Sequence, residues 1–351
     1  MNIFSIDTSC DETAAAIVSG RKVLSSVIYS QSLMHEKWGG VVPSIAKRAH
    51  IERIDWVIER TIKKARRAGI SGWSDIDAIA VTYGPGLAIA LEVGVNKAIE
   101  LSKKHGKPIV GVNHMEGHLY SSLVQNSQGK PDFKFKFPYL GLLVSGGHTE
   151  LIYFKDHLKY EILGEKRDDA AGEALDKAAR MLGFGYPGGE VIERLAKKVD
   201  NKDFIHFTRP MNTPGNMEFS FSGLKTALYY YLKKLPESEK AEKLEEIASS
   251  FQEAVFYSLV KKTEIAMKKT GINQVILGGG VAVNKRLRFL LRNMIKKHEG
   301  ALFLPSQKYL NFDNAAMIGL VGNIRAEKKL FVKDVSELDR VARLSLLQSS
   351  I

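Results

Sequence analysis

Ile3-Phe4-Ser5-Ile6-Asp7-Thr8-Ser9-Cys10-Asp11-Glu12-Thr13-Ala14-Ala15-Ala16-Ile17-Val18 reads as a strand, a polar turn and a second strand. A turn rich in hydroxyls, acids and backbone N–H groups either simply closes the hairpin or holds a phosphate through a metal or water. The same unit returns further on. Pro138-Tyr139-Leu140-Gly141-Leu142-Leu143-Val144 is a buried strand, Ser145-Gly146-Gly147-His148-Thr149 its turn, and Glu150 to Phe154 the return strand. Each hairpin is later followed by an apolar strand that feeds a glycine loop and a helix. The first is Ile76 to Val81 into Thr82-Tyr83-Gly84-Pro85-Gly86-Leu87; the second is Gln274 to Leu277 into Gly278-Gly279-Gly280-Val281-Ala282-Val283-Asn284. From 18 to 77 is 59 positions and from 154 to 274 is 120, so the second gap is longer by about 60 residues. The extra length falls in a stretch with helical patterning, at 169–182, 190–199, 223–234 and 237–260. The simplest account is a duplicated α/β unit with a helical insertion at about 165–260. It predicts an N-terminal lobe at 1–130 and a C-terminal lobe at 131–351, with a polar connector over 124–136. Ligands of such folds bind in a cleft at the carboxyl ends of strands.

Bulk properties narrow the class. A chain of 351 residues suggests two cores. Hydrophobic residues make up 44% and charged residues 26%, ordinary values for a soluble globular protein. The single cysteine, Cys10, excludes an intramolecular disulfide and a multi-cysteine zinc site. No apolar run approaches the length of a membrane span and no signal peptide pattern opens the chain, so a cytoplasmic protein is expected. The net charge of +12 is spread over helical segments, including Lys63, Lys64, Arg66 and Arg67, then Lys261, Lys262, Lys268 and Lys269, and then Lys285, Arg286, Arg288, Arg292, Lys296 and Lys297. Solvated helix faces and a polyanionic partner such as RNA both account for that pattern.

The chemistry concentrates in Gly111-Val112-Asn113-His114-Met115-Glu116-Gly117-His118, which follows a strand at Pro108 to Val112. His114 and His118 are four apart, so on a helix they stack on one face and can share a metal ion through neutral ring nitrogens. The local sequence does not name a third ligand. A metallopeptidase reading fails at Met115, because the zincin pattern puts a general-base Glu beside the first His. Asp313-Asn314 opens a small-residue helix and serves either as an N-cap or as an oxygen ligand. His50 and His206 read as structural or surface residues.

Taken together, these motifs resemble the bacterial TsaD-type family of tRNA adenosine threonylcarbamoyltransferases. The resemblance covers nearly the whole chain. It rests on Ile6 to Thr13, Gly39 to Pro43, Gly84 to Leu87 and Asn113 to His118 in the first lobe. In the second it rests on Leu143 to Thr149, Asp168 to Ala174, Asp176-Lys177, Pro187 to Gly189, Phe219 to Lys225, Ser250 to Ala254, Gly279 to Ala282 with Asn284, and Asp313 to Ala316. It implies an α/β fold of two ribonuclease-H-like lobes, of the actin, heat-shock chaperone ATPase and sugar-kinase type, around an adenine nucleotide. The implied reaction moves the threonylcarbamoyl group of threonylcarbamoyl-AMP to the exocyclic amine of the adenosine 3′ of the anticodon, in tRNAs reading ANN codons.

By the same resemblance His114, His118 and Asp313 are ligands of one divalent metal, with iron expected and zinc the alternative. Asp11 is the catalytic candidate. Leu143, Val144, Ser145, Gly146, Gly147, Asp176, Gly189, Glu193 and Asn284 are the substrate contacts. Glu193 departs from the family pattern, where Asp is common, and Asp7 stands where Glu is common. Implied partners are tRNA, a non-catalytic paralogue and a small ATPase subunit, with no membrane. The rival from another class is a non-catalytic ATP-binding scaffold, which would be expected to lack the His pair.

Overall fold

The computed structural model describes residues 1–133, 136–209 and 215–348. Positions 134 and 135 of the expected connector lie outside the described residues. In chain order the strands are β1 (Asn2–Asp7), β2 (Glu12–Ser19), β3 (Lys22–Ser30), β4 (Ala78–Gly84), β5 (Ile109–Asn113), β6 (Tyr139–Val144), β7 (Thr149–Asp156), β8 (Lys159–Glu165), β9 (Gln274–Gly278) and β10 (Ala301–Phe303). The helices are α1 (Ser32–His35), α2 (Pro43–Ala65), α3 (Ala88–His105), α4 (His114–Tyr120), α5 (Ala171–Met181), α6 (Gly188–Lys198), α7 (Ser222–Lys234), α8 (Glu237–Glu242), α9 (Leu244–Thr270), α10 (Lys285–Lys297) and α11 (Ala315–Glu327). Among the described residues no helix is long and apolar enough to cross a membrane.

The duplication is visible in the strand orders. The first sheet runs β3-β2-β1-β4-β5 and the second β8-β7-β6-β9-β10. In each, a three-stranded antiparallel meander is extended by two parallel strands, β4 and β5 on β1, β9 and β10 on β6. The hairpin partners Asp7↔Ala14 and Val144↔Thr149 close the two corresponding turns. Helices α5 to α9 fill the expected insertion. The last of them runs ten residues past the predicted end, to Thr270, where Gly271 in the left-handed conformation terminates it.

The chain divides into two compact units. One holds Met1–His35, the stretch from Val41 to the connector, and the described chain from Leu304 on; the other holds Glu36–Gly40 and Lys136–Phe303. This corrects the expected boundary: the residues after Phe303 belong with the first sheet, not the second. The reason is α11, whose sequence Ala315-Ala316-Met317-Ile318-Gly319-Leu320-Val321-Gly322 has no polar face, so it must be buried on all sides. It packs on β1, β2, β4 and β5 of the first sheet and against α4. Small residues set the distance. A Cβ on Gly322 would stand 2.5 Å from the Ala80 Cβ, and one on Gly319 would stand 2.6 Å from Val18 Cγ2. The Ser5 hydroxyl donates to the Ala315 carbonyl at 2.6 Å and Asn323 Nδ2 to the Val18 carbonyl at 3.1 Å, pinning both ends of the helix.

The short helix α4 is held against α11 twice. Its Gly117 approaches so closely that a Cβ would stand 2.9 Å from Ile318 Cδ1. One residue earlier, Glu116 pairs with Arg325, with Nε and Nη2 at 3.1 and 3.0 Å from the same carboxylate oxygen. Both residues are buried, Glu116 at 0% and Arg325 at 5% exposure. Removing one member of such a pair leaves a charge without a partner in a low-dielectric setting.

Two stability outcomes follow from this packing. Helix propensity alone predicts that Gly322→Ala stabilises by up to about 1 kcal/mol. The contact with Ala80 instead predicts destabilisation of about 1–3 kcal/mol in urea unfolding, and a gain in stability would contradict the close seating. Glu116→Ala should cost about 3–5 kcal/mol, whereas Glu116→Leu combined with Arg325→Met should recover most of it; equal losses in both variants would contradict the charge argument.

Candidate metal centre

The carboxyl ends of the first unit's parallel strands assemble the site. β1 ends at Asp7, and β5 ends at Asn113, followed at once by His114. Asn113 starts α4 there because its Oδ1 accepts from the N–H groups of Met115 and Glu116 at 2.9 and 3.4 Å. The cap leaves the next turn free to present two imidazoles on one face. Their rings lie edge to face with centroids 4.6 Å apart.

Asp313 arrives from the start of α11. The two sequence readings of Asp313-Asn314 divide between the two residues. Asn314 is the cap, its Oδ1 accepting from Met317 N at 3.0 Å, and Asp313 faces the imidazoles. Its Oδ1 lies 3.3 Å from His114 Nε2 and 3.2 Å from His118 Nε2. One donor atom from each of the three residues falls within 4.8 Å of the other two. That is close to the separation allowed by two metal bonds of about 2.1 Å.

A fourth group, Asp7, was not expected here. Its Oδ2 stands 3.4 Å from His114 Nδ1, the ring nitrogen turned away from Asp313. A carboxylate behind a ligating imidazole fixes its tautomer and orientation. The available signal was only that an acid ends the first strand.

The donor set fits a cation. Both ring nitrogens of His118 are buried without a well-formed hydrogen bond. Such groups cost about 1–3 kcal/mol each unless something satisfies them. Two carboxylates around two neutral imidazoles also make a locally negative site. The titration directions agree. Burial opposes charging His114, but Asp313 and Asp7 overcome it and raise the imidazole well above the ordinary histidine value. Burial, with the neighbouring His114 charge, pushes His118 down. Burial would raise Asp313, yet the His114 charge and the bonds from both rings hold it far below the usual carboxylate range. Together His114, His118 and Asp313 could hold one metal ion.

Around this centre, Asp11 sits nearly buried in the β1–β2 turn, where its backbone carbonyl accepts from Gln31 N. Burial and then Asp11 push the neighbouring Glu12 carboxyl well above its usual value. His50 is structural, with its Nδ1 2.8 Å from Thr13 Oγ1 and its Nε2 3.0 Å from the Cys10 carbonyl. In the glycine loop after β4, the Gly86 and Leu87 N–H groups donate to the carbonyls of Ala342 and Ser9. Those two donors serve the fold and are not offered to an anion.

The remaining expected contacts lie in the second unit. Leu143 and Val144 are fully buried in β6, so only their backbone could meet a ligand. The turn after them is held by Ser145 Oγ, which accepts from Gly147 N and His148 N at 3.3 and 3.0 Å. Gly146 and Gly147 are exposed, with open space where a Cβ would be. Asp176 Oδ1 accepts from Gly188 N and Gly189 N at 2.8 and 3.0 Å, capping α6. Asn284 Oδ1 caps α10 and its Nδ2 donates to Gln252 Oε1 at 3.0 Å. Glu193 Oε1 accepts from the first N–H of α10, that of Lys285, at 2.8 Å. The acids and amides expected to touch substrate are thus also helix caps, which hold the starts of α6 and α10 in place.

Comparisons with known proteins agree with this architecture. Two solved structures share the fold: HypF of T. kodakarensis, with TM-score 0.62 and 15% identity, and a full-length HypF in a phosphate- and nucleotide-bound form, with TM-score 0.59 and 13% identity. They cover 93% and 94% of this chain, which spans 48% and 46% of theirs. The fold is that of the actin, heat-shock chaperone ATPase and sugar-kinase group, with two ribonuclease-H-like units. Sequence relatives are much nearer. The tRNA N6-adenosine threonylcarbamoyltransferase of Endomicrobium trichonymphae is 46% identical over 329 residues, covering 93% of each chain. That of Bacillus subtilis is 47% identical over 330 residues, 93% of this chain and 91% of the relative. The profile of the family described as TsaD, tRNA N6-adenosine threonylcarbamoyltransferase, matches residues 22–320. The chain therefore belongs to the TsaD family of tRNA N6-adenosine threonylcarbamoyltransferases.

Proposed function

We propose that the protein is a transferase that moves a threonylcarbamoyl group from threonylcarbamoyl-AMP to N6 of the adenosine 3′ of the anticodon, in tRNAs reading ANN codons. The observation that carries this reading is the preassembled group of His114, His118 and Asp313 in a chain of this family. In the reaction N6 attacks the carbamoyl carbonyl carbon. A C–N bond forms, the bond from that carbon to the adenylate phosphate oxygen breaks, AMP leaves, and N6 gives up one proton.

The chain's own residues have distinct parts in this scheme. Through their imidazole nitrogens and a carboxylate oxygen, His114, His118 and Asp313 would hold one divalent ion, with iron proposed and zinc the alternative. Such an ion supplies Lewis-acid polarisation and a fixed point for the donor's oxygens. Asp7, beside Nδ1, would keep the His114 ring oriented with Nε2 toward Asp313, as the ligating nitrogen. Asp11, on the turn of the first hairpin, is the carboxylate proposed to take the N6 proton. In the second unit the backbone of Leu143 to Gly147, with Asp176, Gly189, Glu193 and Asn284, is proposed to bind the adenylate portion of the donor. The setting is the cytoplasm, with a non-catalytic paralogue and a small ATPase as partners.

A reconstituted assay tests the reading. Protein, partners, unmodified tRNA and freshly made threonylcarbamoyl-AMP are incubated, and digested nucleosides are read by mass spectrometry. Wild type should give the modified nucleoside and His114→Ala should not. Product from both would remove the metal role, and product from neither, while the Bacillus subtilis relative works in parallel, would favour a scaffold. Metal titration of the purified protein adds a separate outcome. Asp7→Asn should weaken metal affinity about 10- to 100-fold, with Asp7→Glu recovering part of the loss. Unchanged affinity in Asp7→Asn would contradict the role given to Asp7.

A further inference from the structure

We infer that the exposed face of α10 is the surface along which the protein grips the sugar-phosphate backbone of its tRNA substrate, an inference that rests on the tRNA-modifying reading above. The sequence of this helix, Lys285-Arg286-Leu287-Arg288-Phe289-Leu290-Leu291-Arg292-Asn293-Met294-Ile295-Lys296-Lys297, holds six cations and no acid in 13 residues. Those six charges compare with a net charge of +12 for the whole chain. Leu287, Leu291, Met294 and Ile295 are buried and anchor the helix. On the other side Lys285, Phe289, Arg292 and Lys296 are exposed. Spacings of four, three and four residues put these side chains in one line along the helix. At 1.5 Å per residue the line is about 16 Å long, over which a nucleic-acid strand presents several phosphates.

The charge on this line is not neutralised by the protein. Arg286 is engaged by Glu253, with Nε and Nη2 each 2.8 Å from a carboxylate oxygen. Burial, and then the neighbouring Arg292, pull the Arg288 guanidinium below its usual value, with Glu193 opposing. Just past the helix, His298 pairs with Glu264. Among the described residues no ion pair engages Lys285, Arg292, Lys296 or Lys297. On α9, by contrast, Lys261 and Lys268 both pair with Glu264. A solvated helix face normally interleaves acids with its bases; this one does not.

Two further features favour RNA over an acidic protein. Phe289 is 53% exposed in the middle of the cationic line, with the Arg286 guanidinium 5.6 Å from its ring centroid. An exposed ring among phosphate-binding cations is a stacking surface for an unpaired base. The line also begins at a proposed substrate segment. A Cβ on Gly279, just before the turn that Asn284 closes, would stand 2.4 Å from the Val144 carbonyl. The segment that leads into α10 therefore touches the end of β6, just before the turn at Ser145 to Gly147.

The experiment measures dissociation constants of full-length protein for unmodified tRNA across roughly 50 to 200 mM salt, beside the transfer assay. In Arg292→Ala/Lys296→Ala the affinity at the lowest salt should fall at least about tenfold, and the slope of log K against log salt should fall by about one per cation removed. The KM for tRNA should rise more than kcat falls, and Phe289→Ala should weaken binding without changing the salt slope. The control Lys103→Ala/Lys104→Ala, on exposed positions of α3, removes the same charge and should change affinity far less. No tRNA binding by wild type, an unchanged affinity and slope in the α10 variant, or an equal loss in the control would each overturn the inference. An α10 that serves an acidic protein would give the unchanged result. tRNA binding that depends on α10 in a protein giving no product would remove the proposed reaction and leave this surface standing. Normal product with an unchanged tRNA KM in the variant would do the reverse.

Discussion

The seating of α11 on the first sheet is the constraint on which the rest of the first unit depends. An α-helix without a polar face has to be covered on every side, and Gly319 and Gly322 let it approach β1, β2 and β4 more closely than any other residue would. That approach fixes where its N-terminus lies, and Asp313 stands immediately before that N-terminus. Gly117 and the Glu116–Arg325 pair then lock α4 to the same helix. The distance between the imidazoles and Asp313 is therefore set by backbone packing, not by flexible side chains. Ligating side chains carried on rigid elements are what a metal centre requires.

Polar residues divide their work around that frame. Asn113 and Asn314 close helix starts, leaving His114, His118 and Asp313 to face one another. Asp7 stands behind His114. The resulting site concentrates negative charge, and Asp313 and Asp7 raise the His114 imidazole well above the ordinary histidine value despite its burial. In the second unit the same economy appears at Asp176 and Asn284, whose side chains hold the starts of α6 and α10 in place.

Much of this was legible in the chain because it is written in local pattern. The two hairpins, the strands feeding glycine loops, and the His spacing follow from alternation and period, and each lies where the residues placed it. The third candidate ligand did not follow from spacing. Asp313 is 195 positions beyond His118, and only its family context singled it out. The strands β3, β8 and β10 were not read at all. All three are edge strands with few fully buried positions, and β10 has only three residues. The assignment of the residues after Phe303 to the second lobe failed for a tertiary reason, since nothing local says that a buried helix near the C-terminus returns to the first sheet. Asp7 and the Glu116–Arg325 pair were missed likewise: each becomes meaningful only when elements distant in sequence meet. The caps at Asp176 and Asn284 show the converse, that a residue matched by family pattern can also serve the fold.

The most direct test of the account is a crystal structure of the iron-reconstituted protein with anomalous scattering recorded at the metal edge. The account predicts one peak per chain, bonded at about 2.0–2.2 Å to a ring nitrogen of His114, a ring nitrogen of His118 and a carboxylate oxygen of Asp313, with Asp7 on the far side of the His114 ring. A peak elsewhere, or none at that position after reconstitution, would contradict it.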